Sequence, residues 1–256
     1  MTFDIHGAQI VGDRKRQEDA FGVVEKVEKN AALAIVCDGM GGHGGGDVAS
    51  AIASEAFMEV FQKSRGAPKR CLKQALAAAN DRIASEIAEN SDLREMGTTL
   101  VAAFASGADL HWVSVGDSSL YIVRNGTAER VNEDHSMGPV LDDLAAAGRM
   151  SMEEAAADPQ RNVLRSAVSG DEIDLIDLQS KSGALEKGDV IILASDGLDT
   201  ISPDKMAEIV SKAKDAKSCA NALLQAVEEA KHPHQDNATV IILAVGEKRK
   251  KILGLF

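Results

Sequence analysis

The stretch that decides the fold is Ala31-Ala32-Leu33-Ala34-Ile35-Val36-Cys37-Asp38-Gly39-Met40-Gly41-Gly42. An apolar run as continuous as 31–37 suits a buried strand, and it stops abruptly at a carboxylate followed by glycines. A single broad stripe at helical period comes next: Val48, Ala49, Ile52, Ala53, Ala56, Phe57, Val60 and Phe61. Leu72, Ala75, Leu76, Ala79, Ile83 and Ile87 repeat that pattern and predict a second helix. Upstream, residues 2–10 and 20–27 read as strands around a charged turn, 12–19.

Downstream, residues 98–105, 110–115, 119–124 and 128–131 read as a meander, with Gly107-Ala108-Asp109 and Asn125-Gly126 as turns. Residues 132–170 lose the pattern and are too long for a simple connection, which predicts a surface flap over something functional. Strands return at 173–179 and 189–194, helices at 203–212 and 218–231, and a last strand at 238–245. Strands grouped together with helices between the groups predict an α+β layered domain.

Composition narrows the function. The 256 residues and 27.0 kDa suit one large domain, and no linker or repeat divides them. We read residues 1–246 as that domain and 247–256 as a tail. With 45% apolar and 27% charged residues, a disordered or collagen-like chain is excluded. No apolar run approaches the roughly 18 residues needed to cross a bilayer. Asp4, Asp13, Arg14, Lys15 and Arg16 argue against a signal peptide. Cys37, Cys71 and Cys219 lie far apart and read as free thiols, which predicts a reducing cytoplasm. A net charge of −12 repels phosphate backbones and argues against nucleic acid as a partner.

The acidic excess has a pattern. Three apolar runs end in the same way, at Asp38-Gly39, at Gly116-Asp117-Ser118 and at Ser195-Asp196-Gly197. Asp236 stands just before the strand that begins at Ala238, and Glu18-Asp19 closes the charged turn. One Asp-Gly often does no more than make a turn. Five carboxylate groups at the ends of buried strands would oppose folding unless a cation or hydrogen bonds compensate them. Hard divalent cations such as Mg²⁺ and Mn²⁺ relieve that repulsion through oxygen ligands and water, and no C-x-x-C pair or H-E-x-x-H run suggests zinc. Arg14, four residues before Glu18, is suited to grip a phosphate bidentately.

Gly39-Met40-Gly41-Gly42-His43-Gly44 also satisfies G-x-G-x-x-G after a strand and before a helix. The ribose-binding acid would be Glu59, but that residue lies inside the helical stripe, and a second helix precedes the next strong strand. Asp38 would set its own charge against a pyrophosphate. The glycines are better explained by close passage of the backbone beside a metal site.

In chain order, Arg14…Glu18-Asp19, Val36-Cys37-Asp38-Gly39-Met40-Gly41-Gly42-His43, Gly97-Thr98-Thr99-Leu100, Val115-Gly116-Asp117-Ser118, Glu133-Asp134-His135-Ser136, Ala194-Ser195-Asp196-Gly197-Leu198 and Asp236-Asn237-Ala238-Thr239 resemble the metal-dependent protein phosphatases. This is the type 2C class of serine/threonine phosphatases in its compact bacterial form. The resemblance runs from about Gly7 to Val245. It implies a four-layer αββα sandwich, two antiparallel sheets flanked by helices, with a binuclear Mn²⁺ or Mg²⁺ centre at one end. By motif match Asp38 would bridge both metals, the Gly39 carbonyl would serve one, and Asp196 and Asp236 would hold the other. Glu18 and Asp19 would act mainly through water, Asp117 would help a third, weaker ion, and Arg14 would bind phosphate. The catalytic set is then Arg14, Asp38, Asp196 and Asp236.

The implied reaction is in-line attack of a metal-bridging water on phosphoserine or phosphothreonine, with no phospho-enzyme. The implied partners are phosphorylated proteins, including a bacterial serine/threonine kinase and its substrates, met by a monomer. Met40 replaces the histidine that animal members carry after Asp-Gly, which leaves water or His43 to protonate the leaving group. His135 and His234 read as polar loop residues. The tail, Lys248-Arg249-Lys250-Lys251 before Ile252-Leu253-Gly254-Leu255-Phe256, reads as solvated in preference to a membrane contact. A non-enzymatic module of the same fold is disfavoured by the retained Asp38, Asp196 and Asp236.

Overall fold

Along β3 (Ala31–Met40) successive side chains enter different layers, which explains the unbroken apolar run. Leu33, Ile35 and Cys37 pack among α1 (Gly45–Lys63) and α2 (Pro68–Glu89). Ala32, Ala34 and Val36 pack instead into a core between two sheets. The computed structural model describes residues 1–26 and 30–246 of the chain. The basic-apolar tail, 247–256, lies outside the described residues.

All strand pairs are antiparallel. One sheet holds β2 (Asp19–Lys26), β3, β5 (Leu100–Ser106), β6 (Asp109–Val115) and β9 (Asp177–Lys181) in that order, with the short β4 (Gly97–Thr98) pairing the end of β3. The other runs β1 (Thr2–Ile10), β11 (Ala238–Gly246), β10 (Val190–Ala194), β7 (Ser119–Arg124) and β8 (Thr127–Arg130). β10 and β11 divide their side chains as β3 does: Ile191, Leu193, Ile241 and Leu243 enter the core between the sheets. Ile192, Ala194, Val240 and Ile242 pack against α5 (Pro203–Lys212) and α6 (Ala216–Ala230). These strands are buried on both faces, and each fully buried Ile or Leu contributes about 2 kcal/mol. The result is the α+β layered domain that the sequence pattern predicts, with the four-layer αββα arrangement that the family resemblance implies.

Two differences from the sequence reading have physical causes. The four strands from β5 to β8 are two hairpins, β5–β6 in one sheet and β7–β8 in the other, not one meander. The chain changes sheets at Gly116-Asp117-Ser118, where Gly116 has φ +94 and a Cβ would lie 2.7 Å from the Thr99 side chain. The strand expected at 173–179 begins only at Asp177, because the backbone at Leu175 bonds the Ser166 hydroxyl through both its N–H and its carbonyl. The flap contains α3 (Gly138–Ala146) and α4 (Met152–Ala157), the latter closed by a Ser151/Glu154 capping box. Asn80 on α2 fastens the far end of the flap, accepting from Gly170 N–H and donating to the Asp171 carbonyl.

Candidate metal centre

The strand ends named by sequence meet at one end of the sandwich. Asp19 and Asp38 are direct cross-strand partners where β2 meets β3. Asp117 sits in the turn that changes sheets, Asp196 follows β10, and Asp236 precedes β11. Arg14, Glu18, Asp38, Gly39, Asp117, Asp196 and Asp236 all line one open cavity of about 770 Å³. Asp19 does not reach that cavity. It is buried beneath it, and its Oδ2 accepts hydrogen bonds from Ser195 Oγ (2.8 Å) and Thr239 Oγ1 (2.7 Å) of the opposite sheet.

Local sequence explains the close approach. Gly39 donates its N–H to the Glu18 carbonyl at 3.1 Å, and a Cβ on Gly39 would stand 2.0 Å from the Gly46 carbonyl oxygen. No side chain fits between β3 and the first turn of α1, so a glycine must follow Asp38. Asp38 itself is held by its main chain: its N–H donates to Thr99 Oγ1, and its carbonyl accepts from Thr98 Oγ1 and Thr99 N–H. Neither β2 nor β5 runs parallel to β3, and α1 leads into α2, so the glycine string belongs to no dinucleotide-binding βαβ unit.

The carboxylates strain one another. Burial pushes Asp117 up to about 7, with Asp196 and Asp134 adding to it and Arg130 opposing. Burial also lifts Asp19 to about 6, against the hydrogen bonds from Thr239 and Ser195. Asp38 rises well above the usual carboxylate range through burial and then the charges of Asp19, Asp196, Asp117 and Asp236. Asp196 rises for the same reasons, burial first and Asp236 second, with Arg14 opposing. The Asp19 and Asp196 Oδ1 atoms are buried without a hydrogen-bond partner. Arg14 Nη2 pairs with Asp236 Oδ2 at the cavity mouth.

An all-oxygen set with orphaned acceptors and mutually raised carboxyls fits hard divalent cations. Among the described residues, no three His, Cys, Asp or Glu side chains are already drawn together as a ligand cage. Mg²⁺ and Mn²⁺ tolerate that spacing, because they fill most of their shell with water and need only one or two carboxylates each.

Other residues matter here that sequence reasoning passed over. His135, expected as a polar loop residue, is buried at 3% exposure. Its N–H donates to the Gly116 carbonyl, and its Nδ1 accepts from Gly116 N–H, which clamps the residue before Asp117. Burial lowers its pKa, consistent with a neutral ring. Asn237 and Thr99, motif neighbours in the sequence, accept from the backbone N–H of Glu18 and Asp38. The opposite wall of the cavity comes from the flap, including Val163 and Arg165, and from Asp171, Glu172 and Asp174. Met40 is exposed on the rim. His234 is an exposed loop residue, as expected.

Comparison with known proteins finds serine/threonine phosphatases similar to this chain. The serine/threonine phosphatase Stp of Listeria welshimeri is 30% identical over 235 residues, covering 90% of each chain. The crystal structure of the Mycobacterium tuberculosis serine/threonine phosphatase PstP superposes with a TM-score of 0.83 at 28% identity, over 96% of this chain and 100% of that one. The PstP catalytic domain in complex with two manganese ions gives 0.78 at 28% identity with the same coverage. The match to the protein phosphatase 2C family spans residues 6–237, nearly the whole chain, and this chain belongs to that family.

Proposed function

We propose that this protein hydrolyses phosphoserine and phosphothreonine in proteins, using Mn²⁺ or Mg²⁺ at the acidic basin, and opposes a serine/threonine kinase. The observation that carries this reading is the convergence of Asp38, Asp196 and Asp236 with Arg14 in one cavity, where burial and mutual repulsion raise the Asp38 and Asp196 carboxyls and Arg14 pairs with Asp236. Two bound cations would supply the Lewis acidity that makes water nucleophilic at neutral pH and offsets the charge of the phosphoester. Asp38 would hold both, with the Gly39 carbonyl serving one and Asp196 and Asp236 the other. Glu18 and Asp19 would order water around them, and Asp117 would serve a third, weaker ion.

Arg14 would grip two phosphoryl oxygens and orient the ester for in-line displacement. Its guanidinium is half-exposed at the mouth and already faces Asp236, so it can reach an arriving phosphate with little rearrangement. No side chain need act as nucleophile. Cys37 lies at the site but is fully buried, and burial pushes its thiol up, away from the reactive thiolate. Met40 has no ionisable proton, which leaves water in the basin or His43 to protonate the departing Ser or Thr oxygen. Among the described residues no helix is long and apolar enough to cross a membrane. The three free, buried cysteines fit a reducing cytoplasm.

The test is hydrolysis of p-nitrophenyl phosphate and of a phosphothreonine peptide by the full chain. Activity should require Mn²⁺ or Mg²⁺, vanish in excess chelator and return on adding metal. Full activity in chelator would refute the proposal.

A further inference from the structure

Asn237 is 4% exposed and stands directly after Asp236. Its side-chain amide makes three hydrogen bonds, all to the loop 11–18 that carries Arg14 and Glu18. Oδ1 accepts from Glu18 N–H at 2.7 Å. Nδ2 donates to the carbonyls of Val11 (2.8 Å) and Arg16 (2.9 Å). The main-chain N–H of the same residue donates to Asp236 Oδ1 at 2.7 Å, and Asp236 Oδ2 pairs with Arg14. Asn237 therefore holds the arginine's loop with its side chain and the arginine's carboxylate partner with its backbone.

The chemistry of this clamp is specific. One acceptor and two donors on a single short planar group match an amide, whereas a carboxylate has no donor and an aliphatic group has neither. Gln17 closes the same loop a second time, donating to the Ile10 carbonyl at 3.1 Å and accepting from Asp19 N–H at 3.0 Å. The neighbouring backbone is locked as well. Asp13 N–H donates to the Gln235 carbonyl at 2.8 Å. At Gly12, with φ +62, a Cβ would lie 2.4 Å from the Asp236 carbonyl oxygen. Without the amide clamp, a loop with an exposed tip would sample many positions, and phosphate would have to order it on binding.

We propose that Asn237, seconded by Gln17, is a positioning residue for phosphate recognition: its amide fixes the loop 11–18 so that Arg14 is presented to the phosphoryl group ready-ordered. This rests on the phosphatase reading above. Asn237 acts through Arg14, and that separates it from a residue that merely supports the fold.

A double-mutant cycle tests it on the full chain with Mn²⁺, comparing Asn237→Ala, Arg14→Ala and the pair. The readouts are KM for p-nitrophenyl phosphate and competitive inhibition by inorganic phosphate. Asn237→Ala should raise KM and the phosphate inhibition constant about tenfold, with a smaller change in kcat. The pair should fall within about twofold of Arg14→Ala alone, since no arginine is left to position. In the metal-free protein the Glu18 amide should exchange at least about tenfold faster in Asn237→Ala, while β10 and β11 keep their protection. Multiplicative effects in the pair, unchanged phosphate inhibition, or loosening spread across β10 and β11 would overturn the proposal. If Asn237→Ala does not melt cooperatively, Gln17→Ala carries the same cycle, and unchanged phosphate inhibition there overturns it too. Failure of the wild-type chain to hydrolyse with Mn²⁺ would fault the phosphatase reading instead, and Glu18 amide exchange would then judge the clamp alone.

Discussion

Asp117→Asn should stabilise the metal-free protein at alkaline pH while weakening its response to metal. Burial lifts the Asp117 carboxyl from 3.8 to about 7, with Asp196 and Asp134 adding to the rise. An unfolded chain gives up this proton near 3.8 and the folded chain only near 7, so between those values the folded state binds more protons. Stability from this group is therefore complete below 3.8 and lost as pH climbs through 7. Above that window the ionised carboxylate costs the fold about 4 kcal/mol. Removing one member of a coupled acidic cluster lets its neighbours relax, and the measured gain should be nearer 2 kcal/mol. For a chain of this size that corresponds to a rise in melting temperature of about 4–8 °C. Circular-dichroism melts in EDTA at pH 8 should show the variant melting higher, with the gap narrowing toward pH 4. Adding Mn²⁺ at pH 8 should raise the wild type more than the variant. Equal melting temperatures at pH 8 without metal would mean that Asp117 is neither desolvated nor crowded by like charge, and the electrostatic argument for the basin would fail.

Asp38→Asn or Asp196→Asn should lower phosphatase activity by at least about a hundredfold while the metal-free protein melts at or above the wild type. A variant that loses activity only because it unfolds would contradict this. Mn²⁺ at about a hundred times its dissociation constant should add about 2.7 kcal/mol of stability. Titration calorimetry should show weaker binding as pH falls through the raised carboxyl values, because protons then compete for the ligands. Gly39→Ala should cost about 3 kcal/mol in urea unfolding, since the new methyl would meet the Gly46 carbonyl at 2.0 Å and the Glu18 carbonyl at 2.5 Å. A near-neutral result would mean that β3 and α1 can separate at the site.

Much of the fold was legible because β3, β10 and β11 are buried on both faces and carry unbroken apolar runs. The first residue of β11, Ala238, and the full span of α5 are legible in the sequence; in the structure Ser202 caps α5 just ahead of Pro203. The sheet switch at Gly116 was not legible. Hairpins β5–β6 and β7–β8 look alike in sequence whether or not they share a sheet, and the deciding contact, Thr99 against Gly116, is long-range. The acids of the site announced themselves as charges where hydrophobic runs end. The residues that hold the acid-bearing segments did not, because Asn237, Thr99 and His135 are ordinary polar residues whose roles lie in hydrogen bonds to backbone that is not adjacent in the chain.

Asp19 shows why a site of this kind depends on the whole sandwich. Motif matching gives it the same part as Glu18, a carboxylate working through ordered water. The structure adds a second part: Asp19 starts β2 in one sheet and accepts from Ser195 and Thr239 in the other. Each sheet supplies half of the basin, Glu18 and Asp38 from one side and Asp196 and Asp236 from the other. The span between the halves is therefore the spacing between the sheets. Small residues of one sheet, Ala32, Ala34, Ala103 and Ala105, share the core between the sheets with Leu120, Ile191, Leu193, Ile241 and Leu243 of the other, and Asp19 bonds across to Ser195 and Thr239 at the site end. Enlarging one of those alanines should shift the two carboxylate pairs apart and weaken Mn²⁺ binding without touching a ligand. If Ala34→Val left Mn²⁺ affinity unchanged while destabilising the fold by about 1–3 kcal/mol, sheet spacing would not be what sets the distance between the halves.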